Sequence, residues 1–136
     1  MEVTKIDDLK KLKEGEVVEL PGFDDDTPFN ARLKRPSLLT LCKVGTIPNN
    51  LLSAAQKIFE GDKKGNVKDY GEVLHIVASV AIVEPDYEQI KDLLTDEQLT
   101  AIFNYTQFGV AALLPFRKLR EKYLESKKTS GSSKGK

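Results

Sequence analysis

One stretch, residues 68–83, limits what this chain can fold into more than any other. Nearly every side chain from Val73 to Val83 is apolar, so a helix formed here would be apolar on almost all sides. Its β-branched residues also suit a strand, but the length of the stretch and the stop at Pro85 favour a helix. Such a helix must be covered by other elements. We therefore predict that it forms the buried centre of a domain.

Two short helices joined by a turn are predicted just before it, within residues 35–61. Pro36 suits the first helical position, and Gly45 can end the first helix because glycine tolerates positive φ. Pro48 opens the second helix in the same way. Neither helix can bury its apolar face alone, so we expect the pair to dock on each other and on the rest of the domain.

A β-hairpin is predicted near the N-terminus, where Glu16–Leu20 and residues 29–34 have strand character. Glutamates on the first strand opposite Arg32 and Lys34 on the second would favour this pairing. A short helix that Thr4 can cap is expected before the hairpin. Its thin apolar stripe consists of Ile6, Leu9 and Leu12.

The second half of the chain predicts further helices. A short helix is expected over residues 87–94, and Thr95 with Gln98 forms a capping box that starts the next one. Gly109 marks a break, after which an amphipathic helix is predicted to continue toward Ser126. Only Lys, Thr, Ser and Gly follow, a composition that has nothing to bury and indicates disorder.

These elements predict a mainly α protein. We expect one compact multi-helix domain with a small N-terminal β-hairpin over residues 1–126, and a disordered basic tail over residues 127–136. No apolar run approaches the roughly 20 residues that a membrane span needs, and the charged N-terminus cannot be a secretory signal. With Cys42 as its single cysteine, the chain can form no internal disulfide, which fits a reducing cytoplasm.

Charge is balanced overall but unevenly distributed. Residues 117–136 hold eight basic and two acidic residues, so a formal net charge of zero leaves the rest of the chain acidic. An acidic body repels phosphate, which argues against general nucleic-acid binding.

No catalytic or metal-binding arrangement stands out. The aspartates at residues 24–26 are adjacent rather than alternating as in calcium loops, which favours a solvated turn. Cys42 falls among leucines and His75 falls in the apolar helix, where both are typical core side chains. We predict no enzyme activity, no metal and no cofactor.

Two ordered blocks of the sequence match a known pattern. The first comprises residues 34–39, 45–49 and 52–59. The second comprises residues 99–105, followed by Gly109, Val110, Phe116 and Arg117. The two blocks follow in the expected order, and in them the chain resembles the XkdN-like tail assembly chaperones of Gram-positive phages and prophages.

This resemblance implies a non-enzymatic assembly factor. Such chaperones coat the tape measure protein, keep its helices soluble and help to recruit major tail protein. They act in the cytoplasm of the bacterial host, self-associate along the partner and are absent from the mature virion. In many of these phages a ribosomal frameshift appends a second domain, and the lysine-rich end of this chain is a candidate site for one.

The apolar faces and polar positions within or beside these two blocks give candidate partner-binding residues. They are Arg35, Pro36, Leu38, Leu41, Ile47, Pro48, Asn49, Leu51, Gly109, Phe116 and Arg117. The apolar members would be anchors where they are exposed, and the alternative is that they belong to the core. Arg35, Asn49 and Arg117 suit a polar rim or helix caps.

A helix-turn-helix DNA-binding protein is the main alternative, because residues 39–59 hold two helices and a glycine-containing turn. Against it, the second of these helices offers only Lys57 as a basic side chain. A small enzyme of unrecognised geometry is the third hypothesis.

Overall fold

The computed structural model describes residues 1–61 and 66–115 and the single positions Lys118, Lys122 and Glu125. The helices in this part are α1 (Ile6–Lys11), α2 (Leu38–Lys43), α3 (Leu52–Phe59), α4 (Val67–Ala81), α5 (Tyr87–Ile90) and α6 (Asp96–Phe108). The strands are β1 (Glu16–Leu20), β2 (Phe29–Leu33) and β3 (Ile82–Glu84). Short 3-10 helices cover Leu12–Glu14, Asn49–Leu51 and Val110–Leu113. The predicted mainly α class with a small sheet is confirmed.

Several predictions near the C-terminus concern residues that are not described. After Gly109 the chain forms the 3-10 helix Val110–Leu113. The apolar residues predicted to continue an amphipathic helix toward Ser126, which are Phe116, Leu119, Tyr123 and Leu124, lie outside the described residues, as do the domain boundary at residue 126 and the basic tail. Within the described ranges, no helix is long and apolar enough to cross a membrane.

The predicted hairpin is confirmed and extended by a third strand. β1 and β2 pair antiparallel, and β3 adds antiparallel to the other edge of β2. The predicted opposed charges are wrong, because the register places Leu33 opposite Glu16 and Asn30 opposite Glu19. Arg32 instead forms an ion pair with Glu84 of β3, at 3.3 Å. Both side chains of this pair are exposed, so it contributes little to stability.

β3 was expected to be the last turn of the central helix. The helix ends at Ala81, and Ile82 already has extended backbone angles. Ile82 and Val83 are β-branched, they precede Pro85, and β2 offers them an unpaired edge. The available edge of β2, which helical periodicity cannot show, decides this boundary.

α4 and α6 form the middle of the domain, because each contributes to two core clusters. The first cluster lies under the sheet and contains Val18, Leu20, Ala31, Leu33, Ala78, Ala81, Ile82, Leu99, Ala101, Ile102, Tyr105 and Leu113. The second lies under α2 and α3 and contains Leu38, Leu41, Ile47, Leu51, Ala54, Ala55, Val73, Val77 and Phe103. The prediction that the apolar helix is the buried centre is thus confirmed.

The predicted start of α6 is also confirmed. The Thr95 side chain accepts from the Gln98 N–H at 3.1 Å, and the Gln98 side chain accepts from the Thr95 N–H at 2.9 Å. The Gln98 amide also donates to the Pro21 carbonyl at 2.9 Å, so this fully buried side chain joins α6 to the end of β1.

Two predicted helix starts need correction. Leu38 rather than Pro36 is the first residue of α2, and Ser37 caps it, since its hydroxyl accepts from the Thr40 N–H at 3.2 Å. Lys5 rather than Thr4 precedes α1, and its side chain does not cap it. α1 buries none of its residues, so its apolar stripe is exposed.

Gly71→Ala should raise the free energy of unfolding by about 0.5–1 kcal/mol, because glycine is a poor residue inside a helix. A Cβ at this position in α4 would meet no heavy atom within 4 Å, so no clash offsets the gain. Urea denaturation measures the change. The control is Gly45→Ala, which also has open space but a φ of +83° and should destabilise. An unchanged or lower stability of Gly71→Ala would contradict the description of α4.

Candidate functional site

The strongest candidate site is an open groove of about 650 Å³ on the N-terminal side of the domain. It lies between the end of α1, the start of β1, the β2–α2 connection and the end of α6. We call it the N-terminal groove. It is lined by Lys11, Leu12, Gly15, Glu16, Leu33, Lys34, Arg35, Pro36, Ser37, Leu38, Leu39, Phe59, Tyr105, Thr106 and Gln107.

Three large apolar side chains on its lining are exposed to solvent. Leu12 after α1 is 69% exposed, Leu39 on α2 is 64% exposed and Phe59 at the end of α3 is 53% exposed. They come from three separate elements that the fold brings to one groove. Exposed apolar side chains gathered in one place are typical of surfaces that contact another molecule.

A hydrogen bond between Tyr105 and Glu16 joins two sides of the groove. The Tyr105 hydroxyl donates to the Glu16 carboxylate at 2.5 Å. Burial of the ring, together with this hydrogen bond, raises the pKa of Tyr105 well above its usual range. The hydroxyl therefore keeps its proton well above pH 10, and the pair ties α6 to the start of β1.

The Tyr105 pair predicts a pH dependence of stability. An unfolded tyrosine loses its proton near pH 10, whereas the folded one keeps it, so this contribution is complete below about pH 10 and is lost as pH rises further. Tyr105→Phe should lower stability by about 1 kcal/mol at pH 8 and make the decline above pH 10 shallower. Urea denaturation at several pH values measures both. Parallel pH profiles of the two proteins would contradict the assignment.

Arg35 lies on the groove lining and caps α6 across the fold. Its Nε donates to the Thr106 carbonyl at 3.3 Å and its Nη2 to the Gln107 carbonyl at 3.1 Å. Carbonyls at a helix C-terminus lack partners within the helix and carry partial negative charge, so a guanidinium is favourable there. The prediction that Arg35 serves as a rim residue or a cap agrees with this position.

Gly109 is the residue that lets Arg35 approach. It ends α6 with a φ of +77°, and a Cβ on it would lie 3.1 Å from the Arg35 Nη1 atom. The predicted break at Gly109 is confirmed. Gly109 is buried and does not line the groove, so it gives room to Arg35 rather than offering a contact surface.

Gly109→Ala should destabilise the protein by about 1–2 kcal/mol from the positive φ alone, with an added cost from crowding Arg35. Gly45→Ala separates the two effects, because Gly45 has a similar φ of +83° and nothing within 4 Å. Thermal and urea denaturation compare the two variants. Equal losses of stability would show that a Cβ added at residue 109 does not crowd the Arg35 guanidinium.

For four of the apolar candidates the structure supports the core alternative rather than the exposed anchor. Leu38, Leu41, Ile47 and Leu51 are all buried in the second core cluster. Leu38 and Leu41 lie one helical turn apart on the face of α2 that packs inward, so the core alternative holds for them. Leu38 reaches the groove only as part of its floor, with 4% of its surface exposed.

The other candidates are divided among several places. Pro36 is half-buried on the groove lining. Pro48 and Asn49 are exposed at the 3-10 turn before α3 and do not line the groove. Phe116 and Arg117 lie outside the described residues.

The groove contains residues that were not among the candidates, chiefly Leu12, Leu39 and Phe59 with the cations Lys11 and Lys34. Leu39 follows directly after a core leucine and points away from the core. α2 has only six residues, so the spacing of its apolar residues is a weak indication of which side chains face the core. The tertiary packing of α2 determines which leucine stays outside.

The residues considered as candidates for enzyme or metal chemistry make structural contacts outside the groove. The His75 Nδ1 lies 2.7 Å from the Tyr87 hydroxyl, beside the first core cluster. The half-buried Cys42 packs against the second core cluster. The Asp24 carboxylate accepts from the N–H groups of Asp26 and Thr27 at 2.9 and 2.8 Å, which closes the loop on itself.

Comparisons of this chain with protein-family models, with curated proteins and with solved structures found no match.

Proposed function

We propose that this chain is a tail assembly chaperone of a Gram-positive phage or prophage, and that it binds helical segments of the tape measure protein in the N-terminal groove. The observation that carries the proposal is the convergence of Leu12, Leu39 and Phe59 on one groove while they remain exposed. The resemblance of residues 34–59 and 99–117 to this family supplies the partner.

The form of the groove suits a helix. Amphipathic helices bind by placing side chains at i, i+3, i+4 and i+7 into an apolar groove. About 650 Å³ accommodates several such side chains, and the apolar residues around it are already in place. Apolar side chains of the bound helix would leave water and pack against Leu39 and Phe59. The hydrophobic effect favours this burial.

The proposed action needs no chemistry on the partner. A tape measure protein presents long apolar helical faces before the tail forms, and such faces aggregate when nothing covers them. Covering them keeps the partner soluble until major tail protein is recruited. Many copies would act along one partner in the cytoplasm of the bacterial host and leave before the virion is complete.

Co-expression tests this function. The tape measure protein should be soluble when this chain is present and should aggregate without it. Leu39→Asp should lose the effect, because it places a charge in the groove. Leu93→Asp is the matched control, since Leu93 is also 64% exposed but lies outside the groove. Solubility that does not depend on this chain, or that both variants support equally, would contradict the proposal.

DNA binding by a helix-turn-helix remains the alternative, and a gel shift with random duplex DNA at low salt tests it. In the described structure α2 and α3 present few cations for such a role, as α3 contains only the half-buried Lys57. Tight binding that salt weakens would favour the alternative over a chaperone.

A further inference from the structure

The charges on the lining of the N-terminal groove are mainly positive. Lys11, Lys34 and Arg35 line it, and among the described residues Glu16 is the single carboxylate on the lining. Glu16 already accepts the Tyr105 hydroxyl, and Arg35 already caps α6. Within the described part of the chain, neither Lys11 nor Lys34 takes part in an ion pair. Two ammonium groups beside exposed apolar side chains are thus available to an incoming molecule.

From this arrangement we infer that the groove selects acidic amphipathic helices, in which carboxylates flank the apolar stripe and face Lys11 and Lys34. This inference rests on the proposed function, since it names the chemistry of the helix that the groove takes. Apolar contacts with Leu12, Leu39 and Phe59 supply most of the affinity. The lysines supply register and selectivity, as charges at an interface rim commonly do.

The charge of two segments of this chain argues against them as occupants of the groove. Residues 117–136 hold eight basic and two acidic residues, so the lysines of the groove would repel them. The α1 segment of a second copy has an exposed apolar stripe, but residues 5–13 hold four lysines against two aspartates. Both segments carry a net positive charge, as do the lysines of the groove. A separate partner with acidic flanks is the occupant that complements it.

Two synthetic helical peptides test the inference. They share one apolar stripe of leucines, and the flanking positions are all Glu in the first and all Lys in the second. Fluorescence anisotropy with the full chain should give a Kd about tenfold lower for the Glu peptide, because each exposed attraction is small and is replaced by repulsion in the Lys peptide. The preference should shrink as salt rises from 0.05 to about 0.5 M.

A charge reversal in the protein makes the test specific to the groove. Lys11→Glu with Lys34→Glu should invert the order of the two peptides. The matched control is Lys43→Glu with Lys68→Glu, which changes the net charge equally at exposed positions outside the groove and should keep the order. Circular dichroism verifies that each variant is folded.

The outcomes separate this inference from the proposed function. Equal binding of both peptides, abolished by Leu39→Asp, would overturn the charge selectivity and leave groove binding standing. No binding of either peptide, or binding that Leu39→Asp leaves unchanged, would overturn both. Random duplex DNA that displaces the Glu peptide and depends on Lys11 and Lys34 would assign the cations to nucleic acid and overturn the inference.

Discussion

Leu38→Ala should lower the free energy of unfolding by about 2–4 kcal/mol, whereas Leu39→Ala should change it by less than about 0.5 kcal/mol. The two leucines are neighbours in α2 and the substitutions are chemically identical. Leu38 is 4% exposed and Leu39 is 64% exposed. Removing the first side chain leaves a cavity in the second core cluster, while removing the second leaves only a shallower groove.

Urea denaturation of both variants measures this difference. Helix propensity cannot explain it, because both sites lie in the first turn of α2 and change from leucine to alanine. The Leu41→Ala variant, on the same buried face as Leu38, should behave like Leu38→Ala. Equal effects of Leu38→Ala and Leu39→Ala would contradict the orientation of α2, and with it the position of the groove.

Substitutions of exposed groove residues should weaken binding of the partner strongly while leaving the stability of the protein nearly unchanged. The double variant Leu39→Asp, Phe59→Gln should bind a soluble helical fragment of the tape measure protein at least about 100-fold more weakly than the unmodified chain. Each lost apolar anchor at an interface centre is expected to cost about tenfold or more. Stability should be nearly unchanged, because both side chains are exposed in the free protein.

Isothermal titration calorimetry with the purified fragment measures the affinity. Leu93→Asp is again the matched control, and it should bind like the unmodified chain because Leu93 lies outside the groove. A double variant that binds normally would place the partner on another surface. A control that binds as weakly as the double variant would indicate a general loss of structure or solubility.

Much of the fold was predictable because its signals are local. The capping box at Thr95 and Gln98, the break at Gly109 and the all-round apolar helix each follow from a few neighbouring residues. β3 was not predictable in this way. Residues 82–84 form a strand, instead of continuing the helix, because they pair with the free edge of β2, about 50 residues earlier in the chain.

The site was harder to predict than the fold, for a related reason. Sequence periodicity finds apolar faces but does not show which face another element covers. It led to Leu38 and Leu41, which are buried, rather than to Leu39, which lines the groove. Arg35 was recognised as a rim or cap residue, but its partners on α6 lie 71 and 72 residues away and only the tertiary structure shows them.

Hydrogen exchange of the full chain, with and without the tape measure fragment, tests the central claim most directly. Bound fragment should slow exchange in peptides covering residues 11–16, 34–39 and 105–107, which line the groove, and should leave residues 45–50 unchanged. Protection confined to residues 45–50, or saturating binding with no protection along the groove, would contradict the claim that this groove holds the partner.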